Sequence, residues 1–154
     1  MAPIKRHEAL QPVSREHHFG LLLGWKIQKA ASKNVAPERV FEYLKFAFET
    51  ELLPHFQLEE KAVFPVLGEQ DPLVKQALDE HQKIEALITK GEKSNKTLEE
   101  IRVLLNEHIR FEERVLFQKI QENASTQEFE KMVAAHAAHE EEKPGGHWSD
   151  EFWK

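Results

Sequence analysis

Cysteine is absent from the 154-residue chain. Its absence excludes disulfide staples, zinc–thiolate sites, iron–sulfur clusters and thiol catalysis at once. Glycine and proline are scarce, six and seven residues, and they stand mostly at the edges of long periodic segments. No stretch alternates apolar and polar residues between turn signals, so no β-sheet is expected. No apolar run approaches the ~20 residues that span a membrane. Basic residues near the N-terminus are not followed by an apolar stretch, which argues against a secretory signal. Net charge is 21 − 27 = −6 with histidines neutral. Such a mildly acidic, mixed surface offers no footprint for nucleic acid or anionic lipid. The expectation is a cytoplasmic protein, with residues 1–154 forming one domain.

What the chain does have is helical periodicity and nine histidines. Ser14 suits an N-cap for a first helix of about 14–33, with Asn34 closing it. Pro37 suits the first turn of a second helix, about 37–64. Pro54 lies inside that helix, where a proline deletes a backbone bond and kinks the run, one residue before His55. Asp71-Pro72 opens a third helix to about Lys90, stopped by Gly91. Thr97-Leu98-Glu99-Glu100 reads as a capping box opening a fourth, to about Glu122, and Ser125-Thr126-Gln127-Glu128 as one opening a fifth, to about Glu142. Four long helices with short connections predict an all-α, antiparallel up-down-up-down four-helix bundle over about 14–122. A C-terminal helix of about 125–142 is an appendage. The tail, 143–154, holds Trp148, Phe152 and Trp153 and is expected to fold over the end of the bundle or to meet a protein partner.

Two segments are near copies. His55-Phe56-Gln57-Leu58-Glu59-Glu60-Lys61-Ala62-Val63-Phe64 and His108-Ile109-Arg110-Phe111-Glu112-Glu113-Arg114-Val115-Leu116-Phe117 both read H-x-x-x-E-E-x-x-x-F. A histidine and a glutamate four apart share one helix face. The same stripe carries Leu52 and Val63 in one copy and Leu104, Leu105 and Val115 in the other, so the pair points inward. A buried carboxylate is costly unless paired or metal-bound. Glu16-His17-His18 in the first helix and Glu80-His81 in the third also match each other. The chain thus reads as two halves. Antiparallel helices would bring His17, His55 and Glu59 against His81, His108 and Glu112 at one level. Two carboxylates can bridge two metal ions, each completed by two imidazoles, a set that suits iron, manganese or zinc.

These residues resemble the hemerythrin-like, or HHE cation-binding, domain. The resemblance covers about 14–122 and rests on Glu16-His17, His55-Phe56-x-x-Glu59-Glu60, Glu80-His81 and His108-x-x-x-Glu112-Glu113. It implies a four-helix bundle with a non-heme di-iron centre, and function in binding dioxygen or nitric oxide or in handling iron. Oxygen-carrying members take two histidines, four apart, from the third helix; here the position four before His81 is Ala77. They also place a carboxylate five residues after the fourth-helix histidine, where this chain has Glu113, beside Glu112. The implied ligands are His17, His55, Glu59, His81, His108 and Glu112. His18 is held as a fifth histidine, and Glu85 as a substitute. With Ala77 in place of a ligand, one ion is expected to keep an open position and to react with small gases instead of carrying oxygen reversibly.

Blander readings stand beside this one. His7, His136, His139 and His147 are read as ordinary surface histidines, although His136 and His139, three apart, suit adventitious metal. Glu60 and Glu113 lie about 100° from the ligand stripe and read as solvated. Tyr43 reads as packing. A ferritin-like oxidase or ferroxidase would place glutamate three before histidine, the reverse of the order here. A metal-free structural bundle would have to satisfy two buried carboxylates with imidazoles alone. The residues do not decide between a binding protein and an enzyme.

Overall fold

The computed structural model describes residues 5–154. Among the described residues the chain is all-helical, in five helical runs joined by short connections. The first helix, Gln11–Ser32, begins earlier than expected and has no side-chain cap. Ser14 lies inside it, and its hydroxyl donates to Glu113 Oε2 at 3.1 Å. Asp71 caps the third helix, Pro72–Lys90, by accepting from the Leu73 amide. The fourth run is capped by Ser94, which accepts from the Thr97 amide. Thr97 is therefore the third residue of that helix and not its cap. Ser125 and Glu128 form the expected capping box of the fifth helix, Thr126–Glu142. Each such cap contributes about 1 kcal/mol.

The second run, 37–66, is not uniform. Pro54 supplies no amide, and its ring crowds the carbonyl four residues back, at Thr50. The helix answers by widening into a π turn over Phe48–Leu52. Two further π turns fall at Glu59–Val63 and Glu112–Leu116, one in each copy of the repeat. The fourth run, 95–123, is continuous through its π turn. Each π turn inserts one residue into the phase of the stripe. The inward position after the histidine therefore moves from seven residues on to eight, to Val63 and Leu116, both fully buried. Val115, expected on the buried stripe, is exposed for this reason.

Two apolar clusters form the core. One gathers Leu23, Ile27, Leu44, Phe48, Leu52, Ile84, Ile101 and Leu105. The other gathers Leu10, Val13, Val63, Phe64, Val74, Ala77, Leu116, Phe117 and Ile120. Each such side chain contributes about 1.5–3 kcal/mol on burial. The first, second, third and fourth helices each place residues in both clusters, with a histidine of each near the point where one contribution gives way to the other. The C-terminal tail docks on the body. Phe152 is buried in the first cluster, with Trp148 and Trp153 against it. Lys26 Nζ lies 3.9 Å from the Trp153 ring and donates to Tyr43 at 2.8 Å. Tyr43 is thus a packing residue of the tail contact, and burial pushes its hydroxyl up to about 12. No described helix is long and apolar enough to cross a membrane.

Candidate metal centre

Between the two apolar clusters lies a layer of six buried polar side chains: His17, His55, Glu59, His81, His108 and Glu112. Both glutamates are fully inaccessible to solvent. Each histidine turns Nε2 toward them. His17 Nε2 is 3.0 Å from Glu112 Oε1 and 3.7 Å from Glu59 Oε2. His55 Nε2 is 3.4 Å from Glu59 Oε2, and His81 Nε2 is 3.2 Å from Glu59 Oε1. His108 Nε2 is 3.1 Å from Glu112 Oε1.

The opposite ring nitrogens are held from outside, by four glutamates arranged in a cycle. Glu16 of the first helix bonds His55 of the second at 2.8 Å. Glu60 of the second bonds His81 of the third at 2.8 Å. Glu80 of the third bonds His108 of the fourth at 2.6 Å. Glu113 of the fourth returns to His17 of the first at 2.9 Å. Arg6 and Ser14 also bind Glu113. A carboxylate on one ring nitrogen fixes the ring and raises the basicity of the other, the usual support of a metal-bound histidine. Glu60 and Glu113 are therefore anchors and not merely solvated. Their turn away from the ligand stripe is real, but it points them at histidines on neighbouring helices. Aromatic rings complete the seating: Phe56 stacks on His81 at 3.8 Å, and Phe117 on His17 at 5.4 Å.

The electrostatics show strain that protons only partly relieve. Burial disfavours charge on the four histidines and on Glu59, yet attraction to their neighbours wins. The carboxylates raise His55 to about 9 and His108 to about 10, and hold His17 and His81 above the usual imidazole range. Burial pushes Glu59 up, but His55, His17 and His81 hold it well below the usual carboxylate range. Even so, His55 Nε2, both oxygens of Glu59 and Glu112 Oε2 have no aligned hydrogen-bond partner. His81 and His108 bring their Nε2 atoms within 3.1 Å of each other, so at most one proton fits between them. Orphaned buried acceptors of this kind fit a cation.

The donor set has the matching geometry. His17, His55, Glu59 and Glu112 offer ligand atoms within 4.8 Å of one another, and so do Glu59, His81, His108 and Glu112. Both glutamates belong to both groups. His18 is exposed and outside them, as is Glu85. The Leu21, Leu22 and Trp25 stripe that accompanies His18 faces solvent. The first-helix histidine of the cluster is His17, the one that matches the internal repeat. Ala77 is buried in the second apolar cluster. A cavity of about 330 Å³ approaches the centre elsewhere, lined by His17, His55, His108 and Glu112 together with Gly20 and Phe56.

Fold and site together define a helical protein with a buried histidine–carboxylate cation site. The model of the hemerythrin HHE cation-binding domain matches residues 14–120, and the chain belongs to that family. No curated protein and no solved structure gives a significant match to it.

Proposed function

We propose that this chain is a non-heme di-iron protein whose reduced centre reacts with dioxygen or nitric oxide. The observation that carries the reading is the pair of four-ligand groups sharing Glu59 and Glu112. One ion would be held by His17 and His55, the other by His81 and His108, with both glutamates bridging. Six ligands fall into two overlapping groups of four, so two ions would share them and keep room for a small molecule. The helices pass the two apolar clusters in alternating order, second-to-first in helices one and three and first-to-second in helices two and four. That order supports an antiparallel up-down-up-down bundle.

Iron held in this way supplies one-electron and diatomic-gas chemistry. The protein's own residues supply the rest. Glu16, Glu60, Glu80 and Glu113 hold the four rings so that Nε2 faces inward. The two apolar clusters exclude water from above and below. The cavity along Gly20 and Phe56 admits a small apolar molecule to the His17–His55 side. Nothing on the third helix replaces Ala77, and a small molecule would approach through the cavity that His17, His55 and His108 line. The test is stopped-flow absorbance of the anaerobic ferrous protein mixed with dioxygen or nitric oxide. A rapid spectral change that does not reverse when oxygen is removed is expected. Full reversal would make the protein an oxygen carrier, and no change with either gas would contradict the proposal.

A further inference from the structure

The fifth helix brings its own histidines to the edge of the centre. His136 and His139 lie three apart and turn toward Glu16 of the first helix. His139 Nε2 is 3.0 Å from Glu16 Oε2, and His136 Nε2 is 3.3 Å from the same oxygen. His136 Nε2 is also 3.6 Å from Glu140 Oε1. The ligand atoms of Glu16, His139 and Glu140 all lie within 4.8 Å of one another. Glu16, His139 and Glu140 thus form one group, and His136 stands at its edge, within reach of both carboxylates.

Hydrogen bonding accounts for only part of this cluster. Glu16 Oε1 receives His55 and Glu16 Oε2 receives His139. His136 Nε2 is left buried without a partner. With neutral imidazoles the four side chains carry two negative charges, which a dication balances. Lys143, drawn to the same carboxylates, is tied instead to Glu51. Two nitrogen and two oxygen donors suit a tetrahedral divalent ion of the zinc type. Glu16 also anchors His55, so the cluster stands one carboxylate away from the inner centre.

We propose that Glu16, His136, His139 and Glu140 form a separate binding site for a divalent transition-metal ion. The cluster shares Glu16 with the inner layer, and its other three donors all belong to the fifth helix. The probe is Zn²⁺ added to the metal-free, tag-free full chain, with retained ions counted after gel filtration. His136→Ala/His139→Ala should retain one ion fewer than the unaltered chain. His136→Gln/His139→Gln, which keeps polarity but not the imidazoles, should give the same count, and thermal melts check that both variants fold. Glu59→Gln/Glu112→Gln should lose the inner ions and still retain one, which the added histidine changes remove. Equal retention by the unaltered chain and both histidine variants overturns the outer site. Undiminished retention by Glu59→Gln/Glu112→Gln contradicts the inner centre instead and leaves the outer count readable.

Discussion

The first and second helices contribute Glu16, His17, His55, Glu59 and Glu60; the third and fourth contribute Glu80, His81, His108, Glu112 and Glu113 in the same roles. The two halves differ in what surrounds these ligands. Three residues after His17 stands Gly20, where an added Cβ would meet Ile109 Cδ1 at 2.7 Å. Three residues after His81 stands Ile84, fully buried. His81 is covered by Phe56 and Phe64, whereas His17, His55 and His108 line the cavity. Glu16 also meets the fifth helix, while its counterpart Glu80 meets only Gln76 besides its histidine. A duplicated set of side chains thus leaves one imidazole, His81, covered by aromatic rings while the other three face the cavity.

The largest effect should come from a residue both halves share. Glu59→Ala removes a carboxylate from both groups and leaves buried imidazoles without their counter-charge, a loss of about 3–5 kcal/mol in such settings. Iron content should fall to one ion or none, whereas His55→Ala and His108→Ala should each impair one subsite. His147→Ala, in the tail, should change nothing. Equal loss at all of these positions, measured by metal analysis, would break the assignment.

Next come the outer anchors. Glu80→Gln should weaken metal affinity about 10–100-fold by loosening His108. Its effect should concentrate on the subsite of His81 and His108, while Glu60→Gln should act there too, through His81. Competitive titration with a chelator measures both.

The pH dependence is set by the same groups. His55 and His108 rise from 6.5 to about 9 and about 10 on folding. Their contribution to the stability of the metal-free protein is complete below about 6.5 and is lost as pH climbs through 9 to 10. Metal must displace those protons, so apparent affinity should rise over the same window. Glu16, disfavoured by burial but held at about 2 by His55 and His139, works in the opposite sense, its contribution being lost only toward that pH. Thermal melts and metal titrations from pH 6 to 10 check the two slopes. A metal-free protein that gains stability at pH 10 would contradict them.

The smallest effect tests the cavity alone. Gly20→Ala gains about 1 kcal/mol of helix propensity and must displace the end of Ile109. Stability should change by no more than about 1 kcal/mol, while gas entry slows in stopped-flow mixing. Unchanged kinetics would mean that ligands reach the centre by another route.

Four of the six inner residues, His55, Glu59, His108 and Glu112, were legible in the sequence because the repeat is local: four residues along one helix bring histidine and glutamate to one face. His17 was legible by its match to His81, even though His18 had the better apolar neighbours. The anchoring glutamates were visible as E-E and E-H doublets, but their partners lie on other helices, which no single-helix periodicity reveals. Val115 and Leu116 exchanged places because a π turn inserts a residue without a sequence signal such as proline. His136 and His139 passed as surface residues because their meeting with Glu16 depends on where the fifth helix packs.

The most direct test is anomalous diffraction at the iron edge from crystals of the reconstituted protein. The account predicts two peaks, one between His17, His55 and the two glutamates, the other between His81, His108 and the same glutamates. A single peak, or iron bound only outside this layer, would contradict it.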